Sequence, residues 1–317
     1  MLRLMRAALT ARASGSYPGG QDAGSPERSR PAPFAGRGGG RRGGFGPARR
    51  AWRGRPAGAP LARVVGVLLL LVAPLCAFGQ TDEIEVYDGT MAGPGTLNLT
   101  LHNNFTPSGR TAPAFPGGLV PDRSWNGTAE WAYGLREGVE AGLYLPLYSL
   151  SKNDGFTLDG GKLRLLLAEP RAAEQTVVLG MNFELSYNAR SWDPHRFTAE
   201  IRPILGLRWR ELDLFVNPIL DSSFVGGLGD LEFAPAARVA YHLGPQWAVA
   251  LEEYADLGPL RALYPASRQA HQLWAVVDRS ATFADVEAGV GFGLTSASDL
   301  VTVKLILSRD LYAGGAD

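Results

Sequence analysis

The clearest pattern in the chain is an alternation of apolar and polar residues, which the stretch from Trp131 shows well. In the stretch WAYGLREGVEAGLYLP, residues 131–146, odd positions are mainly Trp, Tyr, Leu and Val, and even positions are mainly Ala, Gly and Glu. The alternation pauses at Arg136-Glu137-Gly138 and then resumes, which is typical of a β-hairpin. One face of this hairpin is apolar, so the fold depends on what that face contacts.

The same alternation continues through the rest of the chain and predicts an all-β fold. Most of the predicted strands are about ten residues long. Strands of soluble proteins average about 5–6 residues, whereas a tilted membrane-spanning strand needs about 9–11. We therefore expect a closed antiparallel transmembrane β-barrel of about 12 strands. The strands are predicted at 95–106, 126–135, 139–148, 162–168, 176–187, 197–208, 212–222, 231–243, 247–256, 269–278, 283–294 and 300–311.

The predicted connections alternate between short and long. Short turns fall at 136–138, 209–211 and 244–246, and longer segments rich in Gly, Pro, Ser and Asp fall at 107–125, 149–159, 188–196, 223–230 and 257–268. Bacterial outer-membrane barrels have short turns on one side and long loops on the other. The connection at 294–299 is short where a long loop is expected. Prolines at 146, 203, 218 and 235 fall inside predicted strands, so we expect bulges or strand ends there.

The two faces of the strands carry different residues. One face is Leu, Val, Ile, Phe and Trp, and we expect it, including Trp131, Tyr133, Val139 and Leu143, to face lipid. The other face mixes small residues with charges of both signs, which either pair to fill the lumen or line a path through it. These charged residues are Glu130, Arg164, Glu184, Glu200, Arg202, Arg208, Asp213, Asp221, Glu232, Arg238, Glu252, Glu287 and Lys304.

Aromatic residues gather near the predicted short turns. Trp131, Tyr133, Trp209, Tyr241 and Trp247 occupy these positions. Their placement fits an aromatic belt at a membrane interface. The alternative is ordinary packing of aromatic side chains in a sheet.

The charge of the chain is divided between a basic leader and an acidic body. Of 31 basic and 31 acidic residues, positions 1–79 hold 13 arginines and two acids, which leaves a net charge of −11 in the remainder. Residues 1–59 are rich in Gly, Arg and Pro and are expected to be disordered. Their run GRGGGRRGGFG suggests either a nucleic-acid-binding tail or translated upstream sequence from a misassigned start. We favour the second, because a secretion signal follows, and expect no nucleic-acid partner.

That secretion signal occupies residues 60–79. Arg63 precedes the apolar run Val64–Cys76, and Ala77-Phe78-Gly79 places small residues before a cleavage site between Gly79 and Gln80. The run of 13 residues is shorter than the roughly 18 needed to span a bilayer as a helix. We therefore predict export to the outer membrane and a true start near Leu61. The remaining divisions are a periplasmic segment at 80–94, the barrel at 95–312 and a tail at 313–317.

The exported chain resembles uncharacterised proteobacterial outer-membrane proteins. These are similar to the channel-like family named for the meta-pathway of phenol degradation. The resemblance covers roughly residues 80–312 and is carried by WAYGLREGVEAGLYLP, YHLGPQWAV at 241–249 and GFGLTSASDLVTVKLIL at 291–307. It implies a twelve-stranded barrel with a transport role, but it transfers no specific functional residue.

The sequence carries no catalytic, cofactor or metal-binding signature. Its four histidines, among them His102 near Asn104 and His195 near Asp193, lack the spacing of known sites. We expect a non-enzymatic barrel without cofactor or metal that passively passes small molecules, hydrophobic ones included. Its expected partners are the lipid bilayer, the outer-membrane assembly machinery and an unidentified solute. The alternatives are a plugged structural barrel whose loops 107–125 and 257–268 bind a partner, an outer-membrane hydrolase and a secreted β-sandwich.

Overall fold

A computed structural model describes residues 83–312 as a closed antiparallel β-barrel. The predicted leader, the signal peptide with its cleavage site at Gly79 and Gln80, and the tail at 313–317 lie outside the described residues. Among residues 83–312, no helix is long and apolar enough to cross a membrane. The described helical structure consists of three single 3₁₀ turns, at Ala172–Glu174, Leu228–Asp230 and Ala266–Arg268.

The wall contains fourteen hydrogen-bonded segments that make twelve spanning strands. The pair β7–β8 is one strand interrupted at Pro218, and β9–β10 is one strand interrupted before Ala236. The predicted fold class and strand number are therefore confirmed. The segments are β1 Leu97–Ser108, β2 Ser124–Arg136, β3 Val139–Ser151, β4 Gly155–Ala168, β5 Val177–Asn188, β6 Phe197–Trp209, β7 Leu212–Asn217, β8 Leu220–Ser222, β9 Glu232–Phe233, β10 Ala236–Gly244, β11 Trp247–Asp256, β12 Ala270–Arg279, β13 Asp285–Gly293 and β14 Val301–Tyr312.

Each strand pairs antiparallel with its neighbours in the sequence, and the first pairs with the last. Leu101 on β1 lies opposite Leu307 on β14, which closes the ring. Closure leaves no exposed sheet edge, so the wall can satisfy its own backbone hydrogen bonds in lipid. Both ends of the strand series, Leu97 and Tyr312, lie at the same end of the barrel as the tight turns at 137–138, 210–211 and 245–246. We call this the short-turn end and the opposite one the long-loop end.

One predicted connection differs from the structure. A loop was expected at 149–159, but β3 and β4 extend through most of it and leave only residues 152–154 as a turn. The strands continue because Phe156 and Leu158 keep the alternation, which the flanking Ser, Asp and Gly residues obscure. At the short-turn end, β4 and β5 are joined by residues 169–176, which include a 3₁₀ turn. The short connection at 294–300 is as expected.

The four strand prolines behave in two ways. Pro218 and Pro235 interrupt spanning strands, and Pro146 lies in the register irregularity between Tyr144 and Leu147. Pro203 lies within β6 and stays in register, opposite Met181. Three of the four therefore mark strand breaks or bulges, as their missing N–H group requires.

The outward face of the barrel is apolar. Leu163, Leu179, Leu185 and Leu251 are each about half exposed or more, and Trp131, Tyr133 and Leu143 lie on the same outward face. Polar and charged side chains are buried on the opposite face. This arrangement is inverted relative to a soluble protein and is the one expected of a barrel surrounded by lipid.

The segment before the first strand lies inside the barrel, in contrast to the periplasmic position expected from the sequence. We call residues 83–96 the N-terminal segment. Its backbone and side chains contact residues of β3, β6, β7 and β14, which belong to opposite sides of the wall. Ile84, Val86 and Tyr87 are almost fully buried there. The sequence does not predict this position, because the short apolar run of the segment is buried by the wall and not by a neighbouring strand.

Candidate functional site

The lumen of the barrel is the candidate functional site, and the N-terminal segment occupies its middle. Asn217, on β7, is fully buried and fixes the segment at Tyr87. The Tyr87 N–H group donates to Asn217 Oδ1 at 2.7 Å, and Asn217 Nδ2 donates to the Tyr87 carbonyl oxygen at 3.0 Å. The hydroxyl groups of Tyr87 and Tyr144 are 2.7 Å apart. One asparagine thus pairs with the segment as a neighbouring strand would.

Cationic side chains of the wall hold the rest of the segment. Arg202 Nη1 donates to the Glu85 carbonyl oxygen at 3.2 Å, and Lys304 Nζ donates to the Ile84 carbonyl oxygen at 3.0 Å. Arg208 Nη2 donates to the Asp88 carboxylate at 2.8 Å. Charge-assisted hydrogen bonds are stronger than neutral ones. The carbonyl groups of Ile84 and Glu85 thus accept hydrogen bonds from wall side chains and not from a neighbouring strand.

Apolar contacts hold the segment against two opposite patches of wall. Val86 and Tyr87 pack in a cluster that includes Phe215, and Ile84 packs in a second cluster that includes Trp274. Glycines make room for these large inward side chains. A Cβ atom at Gly206 would lie 2.1 Å from Phe215, and one at Gly291 would lie 2.2 Å from Trp274.

Glycine also lets the segment enter the lumen at the short-turn end. A Cβ atom on Gly134 of β2 would lie 2.0 Å from the Gly93 carbonyl oxygen and 2.5 Å from that of Ala92. The Gly95 N–H group donates to the Gly134 carbonyl oxygen at 2.8 Å. Nearby, the Ala92 N–H group donates to Glu140 Oε2 at 2.5 Å. Only a residue without a side chain allows the two backbones to approach this closely.

One ionic network lies on the side of the wall formed by β10–β14. Lys304, which is almost fully buried, reaches Glu252 and Glu287, each at 2.5 Å. Arg238 pairs with Glu252 and Asp278, and with Glu287 at 3.2 Å. Lys304 and Arg238 therefore each have more than one carboxylate partner, which offsets the cost of burying their charge.

A second network joins β1–β4 near the segment. Arg164 pairs with Glu130 at 2.7 Å and with Glu140. His102 Nε2 lies 3.1 Å from Glu130 and was not among the predicted lumen residues. Farther round the wall, Arg208 pairs with Asp213 at 2.7 Å.

All thirteen charged residues named from the sequence lie on the inward face of the wall, and most of them belong to ion pairs. The pairs are distributed around the circumference and do not converge on one point. In the part of the chain that the structure describes, no three His, Cys, Asp or Glu side chains are close enough to hold a metal ion. The inward charges therefore form several separate networks around the lumen.

The five aromatic residues named from the sequence lie on the outside of the barrel. Trp131, Tyr133, Trp209, Tyr241 and Trp247 are each between about 40 and 60 % exposed. The Trp131 indole N–H donates to the Leu145 carbonyl oxygen at 3.2 Å. Their role as a membrane-interface belt stays a prediction.

The segment lies between two cavities, each of about 400 Å³. The cavity at the long-loop end is lined by Glu83, Arg202 and Asp256 among others, and is bordered by loop residues such as Trp192 and Asp299. The cavity at the short-turn end is lined by residues such as Asp88 and Asp278. Glu85 lines both. The lumen is thus polar at both ends and interrupted in the middle by the segment.

The lumen changes the ionisation of the segment. Burial raises the pKa of Glu85 to about 8, although His102 opposes the shift, and Glu287, Glu83 and Glu130 reinforce it by repulsion. Burial acts in the same direction on the pKa of Asp88, but the Arg208 guanidinium outweighs it and holds that pKa below its usual value. Glu85 therefore keeps its proton to a higher pH than a free glutamate does, and Asp88 loses its proton more readily than a free aspartate.

Sequence reasoning missed the uncharged residues that hold the segment. Asn217, Phe215 and Trp274 face inward and are nearly or fully buried. Asn217 was missed because it lies beside a strand proline, and the other two were missed because they are apolar, like the residues expected to face lipid. The available signal was a pairing of large and small residues. Phe215 lies opposite Gly206 on β6, and Trp274 lies opposite Gly291 on β13.

Comparison with solved structures places this fold among outer-membrane barrels. The COG4313 outer membrane channel from Pseudomonas putida F1 superposes with a TM-score of 0.50 at 13 % identity, covering 72 % of this chain and 100 % of that one. The NanC porin gives a TM-score of 0.44 at 9 % identity, covering 67 % of this chain and 97 % of that one. No family model and no curated protein sequence matches the chain.

The first of these similarities shows the fold. A closed barrel with an apolar exterior is suited to a bilayer, since lipid offers no hydrogen bonds to an open sheet edge. The chain therefore has the fold of an outer-membrane β-barrel.

Proposed function

We propose that the chain is an outer-membrane channel for passive passage of small polar solutes. The observation that carries this proposal is the pair of polar cavities at opposite ends of the lumen, separated by the N-terminal segment. Twelve strands lie between the filled eight-stranded barrels and the open porins of sixteen or more. A lumen of this size is wide enough for a single small solute.

The lining favours polar solutes over the hydrophobic ones considered from the sequence. Both cavities are lined mainly by polar and charged residues, and the apolar lumen residues are covered by the segment. A hydrophobic solute would have to displace water from many charged groups without replacing their hydrogen bonds, which is costly.

Passage through the lumen requires the N-terminal segment to move. It is held by hydrogen bonds and packing, and within residues 83–312 it is not hydrogen-bonded into the sheet as a full strand. The segment can therefore leave while the wall remains closed. We expect the channel to be mostly closed, with openings that follow displacement of residues 83–93.

Planar-bilayer recording tests this proposal. The full chain should give brief and infrequent current steps, and a variant lacking residues 83–93 should give larger and longer-lived ones. A variant with loop residues 224–227 deleted is the control, because these residues are exposed at the long-loop end. If the variant without the segment inserts as a folded barrel and carries no current, the channel proposal is wrong.

A structural barrel whose loops bind a partner is the second candidate function. One observation that favours it is that the segment is anchored deep in the lumen. The other is the loop between β1 and β2, which folds inward: Leu119 is buried there, and its N–H group donates to the Ser191 carbonyl oxygen at 3.0 Å. A silent barrel, with and without the segment, is the result that this candidate requires.

A further inference from the structure

Four carboxylates form a continuous row on the inward face of the wall near the long-loop end. Glu184 on β5 lies opposite Glu200 on β6, Glu200 lies opposite Asp221 on β8, and Asp221 lies opposite Glu232 on β9. Directly opposed residues on neighbouring strands have Cβ atoms about 4.5–5.5 Å apart. All four line the cavity at the long-loop end.

The protein neutralises only one half of this row. Lys162 pairs with Glu184 at 3.3 Å, and Arg202 pairs with Glu200 at 2.7 Å. Among residues 83–312, no lysine, arginine or histidine forms a salt bridge with Asp221 or Glu232. Like charges directly opposite each other destabilise a sheet. Leaving two of them unpaired therefore has a cost in stability.

A fifth carboxylate reaches the same cavity from the N-terminal segment. The Glu83 side chain is only 2 % exposed, and neither of its carboxylate oxygens accepts a hydrogen bond from another residue of 83–312. The Arg202 guanidinium is 3.7 Å away, but it already binds Glu200 in a bidentate manner. A buried carboxylate without a hydrogen bond is rare and costly. Glu83 is thus an independent sign that this cavity is built for a positive ligand.

The rest of the cavity lining indicates the kind of cation. Ten acidic and three basic side chains line it, and the aromatic rings of Phe115 and Trp192 line it as well. Carboxylates combined with aromatic rings suit organic cations, which gain both charge pairing and cation–π attraction. The carboxylates are too dispersed to chelate a metal ion within the described part of the chain.

We propose that the long-loop cavity is a binding site for small organic cations of the amine class, and that it makes the lumen selective for cations. Asp221 and Glu232, which form no salt bridge within residues 83–312, supply the charge together with Glu83. Phe115 and Trp192 supply the aromatic surface. Selectivity in conduction rests on the proposed channel function. Binding of the cation does not, because the cavity lies on the long-loop side of the segment.

The first test measures selectivity in the variant that lacks residues 83–93. With a tenfold KCl gradient across a planar bilayer, the reversal potential should show preference for K⁺ over Cl⁻. The double variant Asp221→Asn, Glu232→Gln should reduce that preference by about twofold or more, as expected for two nearby charges in a wet lumen. Both substitutions keep the side-chain shape and remove repulsion, so the barrel should fold at least as well. Preference for Cl⁻, or no change in the double variant, overturns the selectivity.

The second test measures binding without requiring a current. Calorimetric titration of the full, detergent-folded barrel with spermidine should show binding that weakens by about tenfold in the double variant. The matched control is Glu174→Gln, which removes one carboxylate from an exposed turn at the opposite end. The control should bind spermidine like the unmodified protein. Equal affinity in all three proteins, or no binding to the unmodified one, overturns the site.

The two tests separate the site from the channel. A barrel that binds spermidine but carries no current without its segment retains the cation site and refutes the channel. A barrel that conducts but neither prefers K⁺ nor binds spermidine retains the channel and refutes the cation site.

Discussion

Removing the Asn217 side chain should release the N-terminal segment from the lumen. Asn217 makes two hydrogen bonds to the backbone of Tyr87, at 2.7 and 3.0 Å, and is fully buried. In Asn217→Ala, the N–H and carbonyl groups of Tyr87 would lose these partners. No other described side chain is hydrogen-bonded to both groups. The substitution should therefore weaken the binding of the segment in the lumen more than it destabilises the wall.

The size of the effect follows from the two lost hydrogen bonds. Each contributes about 0.5–1.5 kcal/mol net to the seated state, so together they contribute about 1–3 kcal/mol. A shift of that size changes the equilibrium between seated and released segment by about 5- to 150-fold. The backbone of the wall keeps its own ladder, so the barrel should remain folded.

Cysteine labelling measures this equilibrium. The only cysteine in the sequence is Cys76, so a Cys76→Ser background allows Val86→Cys to report on the segment alone. Val86 is buried when the segment is seated and becomes reactive only when it leaves. We expect Asn217→Ala to accelerate labelling by about 5- to 150-fold.

Asn188→Ala is the matched control. Asn188 is also buried and also makes two hydrogen bonds, at 3.2 and 3.0 Å, but its partners are His195 and Thr198. It should leave the labelling rate of Val86→Cys unchanged. Equal acceleration by both substitutions would refute a local role for Asn217, and no acceleration by either would refute a segment that exchanges as a unit.

Three further predictions use the same molecule. Because the pKa of seated Glu85 is raised to about 8, the seated state retains a proton that a released carboxyl loses nearer pH 4.5. The stability of the seated state therefore falls as the pH rises from about 4.5 to about 8 and changes little above that. Val86→Cys labelling, normalised to denatured protein, should accelerate between about pH 5 and 8 but not in Glu85→Gln. Gly134→Ala should displace residues 92–94, destabilise the seated segment by about 1–3 kcal/mol and so accelerate labelling. Gly93→Ala is the control, because a Cβ atom there would meet only Thr96, at 3.6 Å. Equal labelling rates in the two variants would contradict this prediction. Lys304→Met leaves Glu252 and Glu287 with Arg238 as the one cation that they share, so the temperature at which the folded gel band disappears should fall, as expected for a loss of about 3–5 kcal/mol. An unchanged temperature would contradict a structural role for Lys304.

The architecture could be predicted from the sequence because a barrel wall obeys a local rule. Side chains alternate between lipid and lumen, so the period of two in 176–187 and 197–208 predicts both strand length and inward face. The rule fails where residues typical of turns occur within a strand that nevertheless continues. At 149–159, serine, asparagine, aspartate and glycine obscured an alternation that continues through Leu150, Phe156 and Leu158.

The content of the lumen could not be predicted in the same way. The inward charges can be recognised on each strand, but which of them pair depends on register across the barrel, as in the pairing of Lys304 with Glu252 across 52 residues of sequence. The position of the N-terminal segment depends on contacts still farther apart, such as those between Tyr87 and Asn217. Its apolar residues Ile84 and Val86 also look like a short isolated run, too short to predict burial.

Gel mobility of the outer-membrane fraction tests the central claim, a closed barrel with lipid outside and charges inside. Closed barrels resist unfolding in detergent because their ladder has no free edge. We predict that the protein is recovered in the outer-membrane fraction and that the unheated sample migrates differently from the boiled one. Recovery in a soluble fraction without detergent, with identical mobility before and after heating, would contradict the barrel and every inference drawn from its lumen.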